Sequence, residues 1–179
     1  MGSAHLSPDR PCPFCQGTGK YRDGDAQSPR DLRWTVATDH HTGTHVCLIG
    51  EITENARVAG LRELPRPLVL DLSGVRYINT AGSLWLVNLL EEMGGGIAAE
   101  RCSPAVVRQL NLLPHLSDHL KVLSVVLPYE CPSCNVDYSV VVSVGTKRPA
   151  LPERRCGSCN TTLVPDDPVD YYFAFLPPP

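Results

Sequence analysis

Two C-x-x-C pairs, Cys131/Cys134 and Cys156/Cys159, stand 21 residues apart in the C-terminal third of the chain. Each pair can close a tight turn that aims both thiols at one point. The interval between them is that of a ribbon whose two knuckles meet around one tetrahedral ion. Pro132, Ser133 and Asn135, and Gly157, Ser158 and Asn160, suit those turns. Residues 136–144, VDYSVVVSV, read as a strand between the pairs, and TLV at 162–164 as a segment returning to pair with it. With cysteine at all four positions no coordination site is left for water. The expectation is therefore one structural zinc ion, against the alternative of reduced thiols or a redox pair.

A third pair, Cys12/Cys15, lies in CPFCQGTG at 12–19. It is similar to the C-x-x-C-x-G-x-G units of DnaJ-type chaperones, which recur several times per domain where this chain has one. A second zinc site would need ligands from His40, His41, His45 or Cys47, or from a second copy of the chain. Incidental thiols and a redox role are the alternatives, and His40-His41 taken alone reads as a solvated turn. Cys47 and Cys102 fall in apparent strands, where cysteine behaves as a small buried apolar residue. Paired cysteines in a chain with no secretion-type leader or apolar run of membrane-spanning length suit a reducing, cytoplasmic setting.

The chain has 179 residues, 42% of them hydrophobic, enough for one core plus a small module. The net charge of −3 is spread as 0 over residues 1–45, −1 over 46–127 and −2 over 128–179. No segment is net basic, which argues against nucleic acid as the main partner.

Three segments are expected. Residues 1–31 are polar and broken by Pro and Gly, an arm carrying the first cysteine pair. Residues 32–127 alternate strand and helix patterns: strands at 32–38 and 45–50, a short amphipathic helix at 54–64, and a buried strand at 68–72 (LVLDL). A helix follows from Ala81, capped by Asn79 or Thr80, with Leu84, Val87 and Leu90 at helical spacing, ended by Gly94–Gly96. A strand at 97–102, a helix opened by Ser103-Pro104, and a last strand at 121–127 complete the unit. Residues 128–179 hold the cysteine module and an apolar tail, DYYFAFLPPP, suited to docking on its own domain or on a neighbour. The fold class expected is α/β, an open mixed sheet with packed helices and a small β-rich ribbon.

Four local patterns within 32–127 resemble the STAS family, which includes the bacterial anti-sigma-factor antagonists. They are GEIT at 50–53, LVLDLSGV at 68–75, INTAG at 78–82 before a helix, and CSPAV at 102–106 with Leu110 following. The resemblance implies a domain that binds protein partners such as a kinase, an anti-sigma-like factor or an assembly component. Some members are switched by phosphorylation in the loop that INTAG matches, where Thr80 aligns with the acceptor. A phosphate there would meet free helix N–H groups and add roughly two negative charges. Asn79, Thr80, Ser83 and Trp85 are the candidate contact residues, with Trp85 a hot spot if exposed and core if buried. The chain departs from the family at Asn79, which stands for an Asp, at Ala81, which stands for a hydroxyl residue, and in having the cysteine module where the family has its last helix. The bland reading of Thr80 is a helix N-cap.

No catalytic residue is assigned. The chain has no G-x-S-x-G, P-loop, dinucleotide fingerprint or H-E-x-x-H. Asp71 reads as a turn-organising carboxylate and Glu91-Glu92 as a solvated helix face. The leading expectation is a non-enzymatic regulator or scaffold. The alternatives are a nucleic-acid-associated zinc-ribbon protein, with Lys147-Arg148 and Arg154-Arg155 beside the ribbon, and a thiol redox sensor using Cys12/Cys15. Oligomeric state is left open.

Overall fold

The apolar run at 68–72 lies in the central strand of a five-stranded mixed sheet. The computed structural model describes residues 30–39, 43–151 and 153–178. The sheet runs β1 (Arg33–Asp39), β2 (Gly43–Ile52), β3 (Leu68–Ile78), β4 (Ile97–Glu100), β5 (Lys121–Val122), in that spatial order. β1 is antiparallel to β2, and β2 through β5 pair parallel. Three helices lie between its parallel strands in chain order: α1 (Thr80–Met93), α2 (Pro104–Leu112) and α3 (Pro114–His119). Val46, Leu48, Leu70, Leu72 and Ala99 alternate onto one face and share a buried core with Leu86, Leu89, Leu90, Val107 and Leu110 of the helices. The chain is thus mixed α/β with a mixed sheet.

The helix expected at 54–64 is reduced to a single 3-10 turn, Leu61–Glu63. Gly60 has a φ of 81°, and Pro65 and Pro67 follow at once, so no α-helical turn can propagate. The helix expected from Ser103 forms but stops at Leu112, because Pro114 opens α3 instead. Its cap is as read: Ser103 accepts from Val106 N at 3.4 Å, with Pro104 in the first turn. In α1 the buried stripe is Gly82, Ser83, Leu86, Leu89, Leu90 and Met93, so of the expected set Leu90 is buried, Val87 is half-buried and Leu84 is exposed.

The last strand, expected at 121–127, is two strands with different partners. Lys121-Val122 belongs to the large sheet, while β6 (Ser124–Glu130) pairs antiparallel with β7 (Asp137–Ser143) and β8 (Val164–Pro165) in the order β7-β6-β8. Leu123 is the handover, since its N–H donates to Ala99 O at 2.7 Å and its C=O accepts from Val144 N at 2.9 Å. β6 continues past residue 127 into the cysteine module, and the two sheets share one hydrophobic cluster. The segment at 162–164 does not pair with 136–144 as expected. Val164 joins the opposite edge of β6.

The apolar tail docks on its own chain. α4 (Val169–Tyr172) lies against α2, where Asn111 Nδ2 donates to the carbonyls of Tyr171 and Tyr172 at 3.1 and 3.3 Å. Asn111 Oδ1 accepts from Phe175 N at 2.8 Å, and the Tyr172 hydroxyl donates to Val126 O at 2.6 Å. Tyr172 and Phe173 are buried.

Candidate metal centre and helix-entry site

Two knuckles of the same build bring the four thiols together. The first closes the turn between β6 and β7, where Cys131 N donates to Val136 O and Asn135 N to Cys131 O, at 3.0 and 2.9 Å. The second repeats the pattern, with Cys156 N donating to Thr161 O and Asn160 N to Cys156 O, at 2.8 and 2.9 Å. Both turns need a left-handed residue after the second cysteine, and both use asparagine: φ is 51° at Asn135 and 60° at Asn160. The repeat C-x-S-C-N carries this signal in the sequence.

The sulfurs of Cys131, Cys134, Cys156 and Cys159 all lie within 4.8 Å of one another. Cys131 to Cys159, Cys134 to Cys156 and Cys134 to Cys159 are 3.4, 3.5 and 3.8 Å. Sulfurs at about 2.3 Å from a tetrahedral ion stand about 3.8 Å apart, so the cluster fits a metal ion of zinc's ligand preference. Cys131 and Cys156 are buried, and Cys134 and Cys159 face outward. The Tyr138 hydroxyl, 3.0 Å from Cys156 Sγ, and backbone donors from Ser158 and Cys159 pull that thiol down to about 5. Hydrogen bonding to Cys131 and Cys156 pushes Cys134 up to about 12. Ser133 and Thr161 hydroxyls, 2.9 Å apart, tie one knuckle to the other.

The helix-entry loop is capped by Asn79, not Thr80: Asn79 Oδ1 accepts from Gly82 N at 2.7 Å, and Thr80 is the exposed first residue of the helix. Asn79 Nδ2 donates to Glu54 Oε2 at 2.8 Å, which brings a carboxylate to the loop and holds it below its usual range. Asn79 N donates to Ile52 O, so the helix starts against the end of β2. A Cβ on Gly82 would lie 2.0 Å from that same carbonyl, which is why only glycine fits there. Ser83 is buried and donates to Asn79 O at 3.0 Å while lying 2.7 Å from Gln109 Oε1, so it packs α1 against α2. Trp85 is half-buried against the core.

Of the residues considered for a second metal site, Cys12, Cys15, His40 and His41 lie outside the described residues. His45 is buried in β2 with Nδ1 3.6 Å from Glu100 Oε1. Among the described residues only the four-cysteine cluster groups three or more metal-type ligands. Cys47 and Cys102 are both buried. Burial pushes the Cys102 thiol up to about 12.

Asp71 does more than organise a turn. Oδ1 accepts from Ser73 N at 3.0 Å, and Oδ2 is ion-paired with Arg101, whose φ of 49° turns it back over β3. Residue spacing gave no signal for that pair. No helix among the described residues is long and apolar enough to cross a membrane. No family model, curated protein or solved structure matches the chain.

Proposed function

We propose that the chain is a non-enzymatic, STAS-like partner-binding regulator or scaffold whose C-terminal zinc ribbon is structural. The observation that carries this reading is the helix-entry loop. Thr80 offers an exposed hydroxyl at the N-terminus of a 14-residue helix whose cap is supplied by its neighbour. Its hydroxyl is therefore dispensable for the fold and available for modification. Glu54 stands beside Asn79 and restores to the loop a carboxylate that the family has at position 79. Exposed Tyr77, Ala81 and Leu84 surround the site with apolar surface suited to a protein partner. A phosphate on Thr80 would meet the first free N–H groups of α1. It would change the charge of this surface without entering the core.

The ribbon reading rests on two hairpin-borne knuckles. The first lies between β6 and β7, the second between Arg155 and Thr162, which form an antiparallel bridge. A zinc ion there would hold the end of β6 and fix β8 against it. The buried thiols Cys47 and Cys102 are withdrawn from any substrate, which supports a binding role over nucleophilic chemistry.

The test compares proteins retained by wild type, Thr80→Ala and Thr80→Glu in the native host. Thr80→Ala retains the wild-type set and Thr80→Glu loses at least one member. Identical sets for all three variants would remove the switch, and recovery of the chain without any bound protein would remove the partner-binding reading.

A further inference from the structure

The free edge of the small sheet is built to pair with itself. β7 lies at the end of the order β7-β6-β8, so one of its two edges has no strand beside it among the described residues. The backbone groups that face outward follow from the bonding of β6. Ser124 O accepts from Cys102 N, Val126 N donates to Cys102 O, and Pro128 O accepts from Asp166 N, all on the side of β6 away from β7. Antiparallel ladders alternate, so Val125, Leu127 and Tyr129 turn toward β7. Their partners Val142, Val140 and Tyr138 turn inward to meet them. Ser139, Val141 and Ser143 therefore present N–H and C=O groups to the outside.

Among the described residues nothing blunts this edge. The β6–β7 register is unbroken from Asp137 to Ser143, and residues 138–144 contain no proline and no charge. The opposite edge strand, β8, is two residues long, contains Pro165 and runs into Asp166-Asp167, which are the usual devices against strand addition. The identity of the occupant comes from the sequence of β7. Ser139-Val140-Val141-Val142-Ser143 reads the same in both directions. An antiparallel pair around a two-fold axis at Val141 sets Val141 against its own copy, Val140 against Val142, and Ser139 against Ser143. Each position meets a side chain of its own kind, as an isologous interface requires. Asp137 falls opposite Gly145, so the nearest carboxylate does not meet its copy.

We propose that β7 is a homodimer interface, in which two copies of the chain join edge to edge into one sheet of order β8-β6-β7-β7-β6-β8. Tyr138, Val140, Val142 and Val144, which pack on the core of each copy, would form one continuous apolar face across the joint. This inference does not depend on the STAS reading.

The test is the solution mass of the full chain by light scattering and sedimentation, with Val141→Pro as the main variant. The Val141 N–H points away from β6, so proline there removes the central intermolecular bonds and none of the β6–β7 ladder. Wild type is expected at twice the 19.5 kDa chain mass. Val141→Pro is expected as monomer, weakened at least about tenfold in dimerisation, with zinc content unchanged. If Val141→Pro loses zinc, Val141→Lys, which leaves the backbone intact, takes its place. Amide exchange on the wild type reads the same edge directly, with Ser139, Val141 and Ser143 protected at concentrations where the dimer forms. A wild type that stays monomeric up to millimolar concentration overturns the proposal. So does a dimer that both variants leave intact, or free exchange of those three amides within the dimer.

Discussion

Asp71 and Arg101 tie the middle of β3 to the end of β4 through an ion pair withdrawn from water, with side chains only 2% and 10% exposed. Removing one partner from such a pair leaves a buried charge uncompensated, at a cost of about 3–5 kcal/mol. Asp71→Asn is therefore expected to lower the denaturation midpoint sharply in a urea titration. Asp71→Leu combined with Arg101→Met, which removes both charges, is expected to recover most of the loss. Equal losses in the single and double variants would mean that the packing, and not the pair, carries the effect.

The loop before α1 separates two residues that the sequence left interchangeable as caps. Asn79→Ala removes the bond to Gly82 N and the tether to Glu54, and is expected to cost about 1 kcal/mol. Thr80→Ala touches neither and is expected to fall within about 0.5 kcal/mol of wild type. Gly82→Ala drives a methyl group into Ile52 O and is expected to destabilise by about 3 kcal/mol. Thermal or chemical unfolding of the three variants checks the order.

The buried Cys102 makes stability fall in alkali. Its thiol is raised from 9.0 to about 12 by burial, so the folded chain keeps a proton that the unfolded chain releases. That contribution is complete below pH 9 and is lost as pH rises toward 12, with a slope of up to about 1.4 kcal/mol per pH unit. Cys102→Ala is expected to flatten this part of the profile. An unchanged alkaline slope would assign it to other groups, with Tyr172, also raised by burial, the first to test.

For the metal centre, Cys131→Ser or Cys156→Ser is expected to abolish binding, because each removes a buried ligand. Amide exchange should then rise through β6, β7 and β8 while β2 and β3 remain protected. Loss of protection in both sheets together would mean that the ion supports the whole core.

The features that could be read from the sequence are those with a local cause. Cysteine spacing, the continuous apolar strand at 68–72, and the Ser103-Pro104 helix opening all encode their structure within a few residues. The helix expected at 54–64 does not form because Gly60 and the prolines that follow it override its apolar periodicity. α3 opens at Pro114, the one local signal for its start. The long-range features had no local cause to read. Arg101 reaches Asp71 across 30 residues of chain, Asn111 clamps a tail some 60 residues away, and β6 changes partners at Leu123. Asn79 and Thr80 are adjacent cap candidates in the sequence, and the bond from Gly82 N to Asn79 Oδ1 decides between them.

The most direct test of a zinc-bearing, phosphorylation-switched partner binder is the native intact mass of the complex recovered from the protein's own host, followed by peptide mapping across Thr80. The expected result is one zinc bound at Cys131, Cys134, Cys156 and Cys159, a protein partner retained in the native species, and a phosphate on Thr80 in the fraction released from that partner. A chain that carries no metal and no bound protein, with Thr80 unmodified under every growth condition, would contradict it.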